Sequence, residues 1–519
     1  MYYFLNTTIP LNKSGIEHAQ IKRVNLFNNY KVANKIVTRN FEVDLHHNLK
    51  VAGIDEKNHV NLFEFLQGSG NFKPKQVKPR DIKLPHGCKL KAEKDYFVAK
   101  DIKNRLAVRI EVWGEHDSQV QAVNYYDYAG NLLRRERYDH RGFLSIAEIH
   151  NPQGGVSNEQ IFSPEGKLVY ESFYFKDGQG KIVNSLLRVV DFHGQDYEFT
   201  GLRGLQRFFF DQLNKVDNGK NVFTSDRAVE TEWALLHMKT PAYKALFLHN
   251  AHTADANDPM DRVLNNNFEF SLNNFAEWNA VIDSTDRQTK DVKLRFDSKQ
   301  TAIYTVPVGI VTNELMQKPQ VAFSDRTPGK IIVVARLFPE KRLDHLIKAF
   351  AIVHKQLPQT TLDLWGYGDG KTDKGLKQLV QDLSLEKVVQ FKDYTPNIGD
   401  VMDHAQVSTL TSNVEGFALA VLEAQSHGLP VVSYDIPYGP SDIIEDGFSG
   451  TLVKQGDYKS FAQALIALMG DQKKLQEYSN HAYVSRERYS EAAIWKAWQQ
   501  VVDNADQFFD QIQTKGTVE

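Results

Sequence analysis

Short apolar runs separated by helical stretches open the chain. Tyr2–Leu5 and Ala33–Thr38 are such runs, and an amphipathic segment extends between them from Lys13 to Phe27. The same alternation returns after Thr200, with strand-like runs at Asn221–Ser225, Ala245–His249, Ala280–Thr285 and Tyr304–Gly309. Strand signals that alternate with helical patterns predict βαβ units and a parallel sheet.

Residues 72–200 have a different pattern. Glycines recur every twelve residues, an aromatic or histidine ring lies four residues before each, and an apolar residue lies two after the first four. The glycines are Gly130, Gly142, Gly154, Gly166 and Gly178, and the rings are Tyr126, Tyr138, His150, Phe162 and Tyr174. This period predicts an antiparallel β-meander, with the glycines at positive φ in its turns and the rings along one face, where core packing is favoured over ligand stacking.

A polar, proline-containing stretch, Gln317–Pro328, predicts a linker to a second α/β domain. Strands are expected there at Ile331–Ala335, Thr361–Trp365, Val388–Phe391, Val407–Leu410 and Val431–Tyr434. The predicted organisation is an N-terminal Rossmann-like domain (1–71 and 201–316), a β-rich insertion (72–200), a C-terminal Rossmann-like domain (317–485) and a helix (486–519) that packs back on the first domain.

Composition narrows the class of protein. The 519 residues are 24% charged and 41% hydrophobic with a net charge of −3, which excludes wholesale disorder and a polyanion-binding chain. Only the segment 72–110 is basic, with twelve Lys or Arg against four Asp or Glu. The single cysteine, Cys88, excludes an internal disulfide and a four-thiolate zinc site, and it suits a cytoplasmic protein. We expect no signal peptide and no membrane span, so any membrane contact would be peripheral.

Two cations follow the first strand of the second domain. Ligands of doubly wound sheets bind outside the carboxyl ends of the strands, so Arg336 and Lys341 are placed to face a crevice. Cations are disfavoured at a helix start unless an anion is present, which favours a diphosphate over an ordinary basic helix start.

The segment from Thr411 to Ala424 follows another strand and runs into a helix. Gly416 allows backbone to approach a ligand closely, and the N–H groups that follow it are suited to phosphate oxygens. Glu415 and Glu423 are eight residues apart, about two helical turns, and project from one side. They are candidates for sugar and ribose hydroxyls, or alternatively a capping and a solvated carboxylate.

The N-terminal half offers two weaker signals. His249 ends a strand and precedes His252, so that a cleft histidine, a metal pair and a structural histidine are all open. Ser14 and Gly15 follow the first strand and are half of a dinucleotide fingerprint, without G-x-G-x-x-G.

Together these residues resemble the retaining nucleotide-sugar glycosyltransferases of the two-Rossmann (GT-B) fold, in the large bacterial family with an E-x7-E signature. The resemblance covers both α/β segments. The insertion, Ser14–Gln20 and Tyr438–Gly447 look like two groups within it: the enzymes that glycosylate serine-rich adhesins before export, and the poly(glycerol- or ribitol-phosphate) α-glycosyltransferases of wall teichoic acid. One departure is Ala418, where many relatives have glycine.

The resemblance implies roles for the site residues. Arg336 and Lys341 would hold the diphosphate, Glu423 the ribose of a uridine nucleotide, and Glu415 and His249 the sugar hydroxyls near the reacting bond. Further donor contacts would come from Tyr394 beside the base and from the loop and helix-start residues Ser14, Gly15, Gly416, Phe417, Ala418 and Leu419. No metal or other cofactor is expected, and Asp283 with Asp286 does not form an Asp-x-Asp motif.

The expected donor is UDP-glucose or UDP-N-acetylglucosamine, and the expected acceptor a protein or an anionic polymer, not nucleic acid. The insertion is expected to carry oligomer or acceptor contacts, and its basic part suits an anionic polymer or membrane surface. Two alternatives stay open: a non-catalytic acceptor-binding subunit, which would be expected to lose the cations or paired glutamates, and an NAD-dependent dehydrogenase, whose phosphate fingerprint is missing.

Overall fold

A computed structural model describes residues 1–114, 119–216, 219–296 and 298–516, and it divides into two compact units, Met1–Ala242 and Tyr243–Glu519. The division falls inside the segment 201–316 that the sequence assigns to one domain, so the predicted domain bounds stay a prediction. No helix within the described residues is long and apolar enough to cross a membrane.

The first unit begins with the expected βαβ pattern. Its elements are β1 (Tyr2–Leu5), α1 (Gly15–Asn29), β2 (Asn34–Thr38), α2 (Leu45–Ala52), β3 (His59–Asn61) and α3 (Leu62–Gln67). The strands are parallel, in the order β3, β2, β1. Phe4 of β1 meets Phe27 of α1 edge to face, with 5.1 Å between ring centroids, which shows how the apolar face of the helix packs on the sheet.

The insertion is a ten-stranded antiparallel sheet in sequential order. Its strands are β4 (Lys89–Ala92), β5 (Tyr96–Lys100), β6 (Leu106–Trp113), β7 (Gln119–Tyr126), β8 (Leu132–Asp139), β9 (Phe143–His150), β10 (Val156–Phe162), β11 (Leu168–Lys176), β12 (Ile182–Phe192) and β13 (Gln195–Phe199). One face of β5–β7 is covered by Ile82 and by Cys88, which is partly buried there. The predicted meander is therefore confirmed.

Four of the five turn glycines have the expected positive φ, from 81° to 98°. The exception is Gly178, because the turn between β11 and β12 begins at Asp177 and its left-handed residue is Gly180, with φ 79°. Four of the predicted rings, Tyr126, Tyr138, Phe162 and Tyr174, lie where the strand register shifts at a bulge.

After the insertion the first unit is completed by α4 (Leu202–Val216), β14 (Val222–Ser225) and α5 (Ala228–Leu236). Strand β14 pairs in parallel with β1 on the side opposite to β2. A return to the same sheet after ten antiparallel strands confirms that the antiparallel sheet is an insertion in an α/β fold.

The second unit opens with three parallel strands, in the order β15, β16, β17. Its first elements are β15 (Tyr243–Leu248), α6 (Glu269–Asn273), β16 (Ala280–Asp283), α7 (Asp286–Arg295), β17 (Ala302–Thr305) and α8 (Asn313–Gln317).

A six-stranded parallel sheet follows. Its strands are β18 (Lys330–Val334), β19 (Thr361–Trp365), β20 (Val389–Lys392), β21 (Val407–Leu410), β22 (Val431–Asp435) and β23 (Gly450–Lys454). The helices that connect them are α9 (Leu343–Gln356), α10 (Lys371–Asp382), α11 (Ile398–His404), α12 (Leu419–Ser426) and α13 (Pro440–Ile443). Three helices follow the last strand: α14 (Tyr458–Met469), α15 (Gln472–Ser485) and α16 (Glu491–Gly516). The strand order is β20, β19, β18, β21, β22, β23, so the winding reverses between β18 and β21. The long helix α16 packs on β15, where Trp498 lies 6.2 Å from Phe247 and Asn504 accepts a hydrogen bond from Tyr243.

Candidate active site

The predicted diphosphate cations and Glu415 lie at the carboxyl ends of β18 and β21, where the winding of the six-stranded sheet reverses. Such a reversal opens a crevice at the strand ends and is the usual ligand site of open α/β sheets. Arg336 follows β18, Lys341 ends the short 3-10 turn after it, and Glu415 follows β21. The topology therefore brings together residues that are 74 positions apart in the sequence.

Lys341 and Glu415 form an ion pair with 2.6 Å between Nζ and Oε1, and both side chains are only 15% exposed. The hydroxyl of Ser412 donates to the same carboxylate oxygen, also at 2.6 Å. The Thr411 hydroxyl donates to the Lys341 carbonyl oxygen at 3.0 Å, which ties the two loops together. The sequence predicted separate roles for Lys341 and Glu415. The structure pairs the two side chains, so the charge of each is compensated by the charge of the other.

Arg336 is more open. Its side chain is 49% exposed, its guanidinium donates to Glu340 at 3.1 Å, and it lies 4.7 Å from the centre of the Phe338 ring. A half-exposed pair of this kind is weak in water, so Arg336 can exchange its partner at little cost.

Gly416 brings the Glu415 loop against the end of β15. A Cβ at this position would lie 2.0 Å from the His249 carbonyl oxygen, so no other residue fits without a shift of the backbone. The structure thus gives this glycine a reason that the sequence did not suggest, since the backbone it approaches belongs to the protein. The His249 ring stacks on Phe247 with 4.5 Å between centroids, and its role as a cleft histidine stays a prediction.

The start of α12 has an unusual backbone. Ala418, its N-cap, has φ 66° and ψ 59°, a left-handed conformation that favours glycine, and no side chain caps the helix. Phe417 is buried, with its ring against Gly309 and 5.6 Å from the ring of Tyr489, so only its backbone is available to a ligand. Leu419 is the first residue of the helix, and Glu423 lies half-buried within it. An uncapped helix start is suited to an anion.

Backbone hydrogen bonds join the Tyr438 segment to the Glu415 loop. The Tyr438 N–H donates to the Glu415 carbonyl at 2.8 Å, and the Glu415 N–H donates to the Pro437 carbonyl at 3.2 Å. The phenol of Tyr438 is fully buried and donates to Asp291 at 2.8 Å. His252 is also buried and hydrogen-bonded to the Pro259 carbonyl, and its burial lowers its pKa.

In the first unit, Ser14 and Gly15 form the start of α1. The Ser14 N–H and hydroxyl both donate to the Glu17 carboxylate, and Arg227 donates to Ser14 Oγ and to Glu17 Oε1. Burial raises the pKa of Glu17, but the Ser14 hydrogen bonds and the Arg227 charge outweigh it and leave this pKa lowered. In the second unit, Tyr394 follows β20 and its ring lies 6.4 Å from that of Tyr367.

Two buried carboxyl groups escaped the sequence reasoning. Glu42 follows β2 and accepts a hydrogen bond from the Thr8 hydroxyl, while burial and the charge of Asp44 raise its pKa to about 7. Asp283 ends β16, and burial raises its pKa to about 8. The signal that singled out His249, a polar residue near the end of a predicted strand, was present for Asp283, whereas Glu42 lies beyond the predicted strand Ala33–Thr38.

Among the described residues, no three His, Cys, Asp or Glu side chains form a group that could hold a metal ion. The site instead concentrates cations and a helix start, which are the means by which proteins stabilise a phosphate leaving group without proton transfer.

The chain is similar to known proteins. Residues 317–485 match the family model of the group 1 glycosyl transferases. The chain is 25% identical to the UDP-N-acetylglucosamine–peptide N-acetylglucosaminyltransferase GtfA subunit of Streptococcus pneumoniae, over 96% of this chain and 98% of that protein. It is 28% identical to the poly(glycerol-phosphate) alpha-glucosyltransferase of Bacillus subtilis, over 57% of this chain and 42% of that protein.

A solved structure agrees at the level of fold. The pneumococcal O-GlcNAc transferase GtfA, determined with UDP and GlcNAc, superimposes with a TM-score of 0.81 at 21% identity, covering 97% of this chain and 98% of that one. The resemblance predicted from the sequence is confirmed: residues 317–485 are similar to the group 1 glycosyl transferases, and the chain has the GT-B fold with an antiparallel sheet inserted in it.

Proposed function

We propose that the chain transfers a hexose from a UDP-sugar to a hydroxyl group, with retention of the anomeric configuration. The observation that carries the proposal is the Lys341–Glu415 ion pair at the carboxyl ends of β18 and β21, against the backbone of His249. A cation and a carboxylate at the reversal of a parallel sheet are groups that a nucleotide-sugar site needs.

Each residue then has a task. Arg336 and Lys341 neutralise the departing diphosphate, and the backbone N–H groups at the start of α12, from Ala418 and Leu419, bind its oxygens. Glu423 holds the ribose, and Tyr394 flanks the base. Glu415 and His249 bind hydroxyls of the transferred sugar. Pairing with Glu415 keeps Lys341 compensated until the diphosphate arrives. The donor contacts of Ser14 and Gly15 stay a prediction from the sequence.

The full-length match favours one donor and one acceptor. The relative that this chain matches from end to end is named for UDP-N-acetylglucosamine and for a peptide acceptor. We propose the same donor and Ser or Thr hydroxyls of a serine-rich surface protein before its export, in the cytoplasm or at the inner face of the membrane. The alternative acceptor is poly(glycerol phosphate) or poly(ribitol phosphate) with a glucose donor, which rests on a match to less than half of the other relative.

Four reactions with the purified chain test this. UDP-N-acetylglucosamine and UDP-glucose are each offered with a serine-rich peptide and with poly(glycerol phosphate), and the products are analysed by mass spectrometry. Sugar on the peptide from UDP-N-acetylglucosamine is expected, with an α linkage by NMR. Glucose on the polymer alone would establish the alternative. Donor binding without hydrolysis or transfer would instead indicate a non-catalytic acceptor-binding subunit.

We also propose that the reaction needs no metal ion, because Arg336 and Lys341 supply the charge that a metal would otherwise provide. EDTA is therefore expected to leave the turnover of UDP-sugar unchanged. Loss of turnover on EDTA treatment, restored by Mg²⁺ or Mn²⁺, would contradict this.

We propose that the insertion forms the contacts between the subunits of a homo-oligomer. Its sheet ends in the edge strands β4 and β13, and natural proteins pair or cover such edges. We expect a homo-oligomer in light scattering of the full chain, whereas a monomer at micromolar concentration would exclude it.

A further inference from the structure

The hairpin turns of the inserted sheet alternate between its two ends. The turn at 139–142 belongs to the inner end, where Arg141 donates to Glu64 and to the Ser69 carbonyl of the same unit. The turns at 101–105, 127–131, 151–155 and 177–181 form the opposite end. We call residues 89, 100–105, 127–133, 151–155 and 175–182 the outer rim.

The outer rim exposes large apolar side chains. Ile102 is 88% exposed and Tyr128 is 82% exposed, and Leu133, Phe175 and Ile182 are each about half exposed. The turns lie side by side, since the Arg105 guanidinium lies 4.5 Å from the centre of the Tyr128 ring and a Cβ on Gly155 would lie 3.6 Å from Ile182. Single exposed apolar residues are ordinary, but a row of them along one rim marks an interaction surface.

Cations flank this row. The outer rim has six of them, Lys89, Lys100, Lys103, Arg105, Lys176 and Lys181, against three acidic residues, Asp101, Asp127 and Asp177. Each of these aspartates accepts backbone N–H hydrogen bonds within its own turn. Lys89 lies directly opposite Lys100 across β4 and β5. Like charges at that position destabilise a sheet, so the pairing is better suited to an external anion.

Two turns of the outer rim bond several of their own backbone N–H groups. In the turn at 127–131, Asp127 accepts hydrogen bonds from the N–H groups of Ala129 and Asn131 and, through its carbonyl, from Gly130. The turn at 177–181 repeats this pattern with Asp177. A turn whose polar backbone is internally bonded can enter the boundary of a bilayer without leaving these groups unpaired.

We infer that the outer rim binds the surface of an anionic lipid bilayer, with Ile102, Tyr128 and Phe175 inserted among the headgroups and the lysines against the lipid charges. The combination of apolar tips and cations is what interfacial binding requires. A polyanion would leave the apolar tips unused, and a second copy docked rim to rim would oppose cations with cations. The inference rests on the proposed function only for the reason why the chain would bind a membrane. Lipid binding itself is measured without any sugar substrate.

Vesicle flotation with the full chain tests the inference. Vesicles of phosphatidylcholine are compared with vesicles of equal parts phosphatidylcholine and phosphatidylglycerol. One rim variant combines Ile102→Asp with Phe175→Asp, and a second combines Lys100→Glu with Lys103→Glu. The matched controls change exposed residues elsewhere: Val51→Asp with Val484→Asp, and Lys459→Glu with Lys473→Glu.

The wild-type chain is expected to float only with the anionic vesicles, and added salt is expected to weaken this binding. Each rim variant should lower the bound fraction at least about fivefold, while its control stays near wild type. Hydrolysis of UDP-sugar without vesicles should be unchanged in all variants, so a failure of the proposed function would be seen separately. Absent or lipid-independent binding, or equal loss in rim and control variants, would overturn the inference. So would a rim variant that changes the oligomer but not flotation.

Discussion

The carboxyl ends of the parallel strands carry opposite electrostatics in the two units. After β2 of the first unit, burial and then the charge of the neighbouring Asp44 raise the pKa of Glu42 to about 7. After β21 of the second unit, Glu415 has a lysine at 2.6 Å and a hydroxyl at the same distance. Both glutamates follow a strand of a parallel sheet, so position alone does not distinguish them. The two glutamates differ in the charges around them, because Glu42 lies near Asp44 whereas Glu415 is paired with Lys341.

The helix starts differ in the same way. At α1, Glu17 accepts hydrogen bonds from the Ser14 N–H and hydroxyl, so the helix start is capped from within. At α12 no side-chain cap is present, and the N-cap Ala418 is left-handed. At a helix start that is capped by a carboxylate, that carboxylate already occupies the place of an anion. At an uncapped start the backbone N–H groups can still bind a phosphate. We therefore expect a phosphate to bind in the second unit.

The largest expected effect is on the cations beside α12. Arg336→Ala or Lys341→Ala should each lower the turnover of UDP-sugar at saturation by two to three orders of magnitude, about 2.7–4 kcal/mol, as expected for the loss of one transition-state charge donor. Lys348→Ala is the matched control, since Lys348 is an exposed lysine on the next helix. Near-normal turnover in both folded variants would mean that the diphosphate lies elsewhere.

The second effect concerns Glu42 and pH. Because its pKa rises on folding from an ordinary 4.5 to about 7, the folded state holds its proton more tightly. The free energy of unfolding should therefore fall as pH increases from about 4.5 to 7, by roughly 2–3 kcal/mol from this group. Glu42→Gln removes that part of the dependence and should stabilise the chain at pH 8.

Urea unfolding of wild type and Glu42→Gln at pH 5 and pH 8 measures the difference. Glu386→Gln, an exposed change of the same kind, is the control. An equal pH dependence in wild type and Glu42→Gln would show that Glu42 is already ionised at pH 5 in the folded chain.

Local patterns predicted most of the elements. The expected strand Val407–Leu410 matches β21 residue for residue, and the expected Ile331–Ala335 differs from β18 by one position. Strand β23 was missed because its five residues begin at a glycine and end at a lysine, which leaves only a short apolar run. Gly178 lies in its turn but was wrongly assigned the positive φ because the twelve-residue period was followed, although each turn also begins with Asp, Asn or Ser three residues before its left-handed glycine.

The contacts of the site were beyond a single sequence. The Lys341–Glu415 pair depends on β18 and β21 being neighbours, and the reason for Gly416 lies in the His249 carbonyl, far away in the chain. The left-handed conformation at Ala418 has no local signal, because alanine usually indicates a helix. The types of residue at the site were predictable, whereas their partners come from the topology.

A smaller effect is expected at the capped helix start. Ser14→Ala removes the hydroxyl that donates to Glu17, and it should lower the free energy of unfolding by about 1 kcal/mol. The KM for UDP-sugar should stay at the wild-type value, because this hydroxyl is already bonded to Glu17. A raised KM with unchanged stability would instead assign Ser14 to the donor, as the sequence first suggested.

The smallest effect tests the uncapped start itself. Ala418 has φ 66°, where an alanine is strained and a glycine is not, so Ala418→Gly should raise the free energy of unfolding by about 0.5–1 kcal/mol. Ala420→Gly makes the same chemical change two residues later, inside α12, and should lower it by about 0.5–1 kcal/mol. Thermal melts of the two variants should therefore shift in opposite directions, and turnover should be kept in Ala418→Gly because the backbone N–H groups remain. A loss of stability in both variants would mean that residue 418 is helical in solution, and the contrast between the two helix starts would then lose its structural basis.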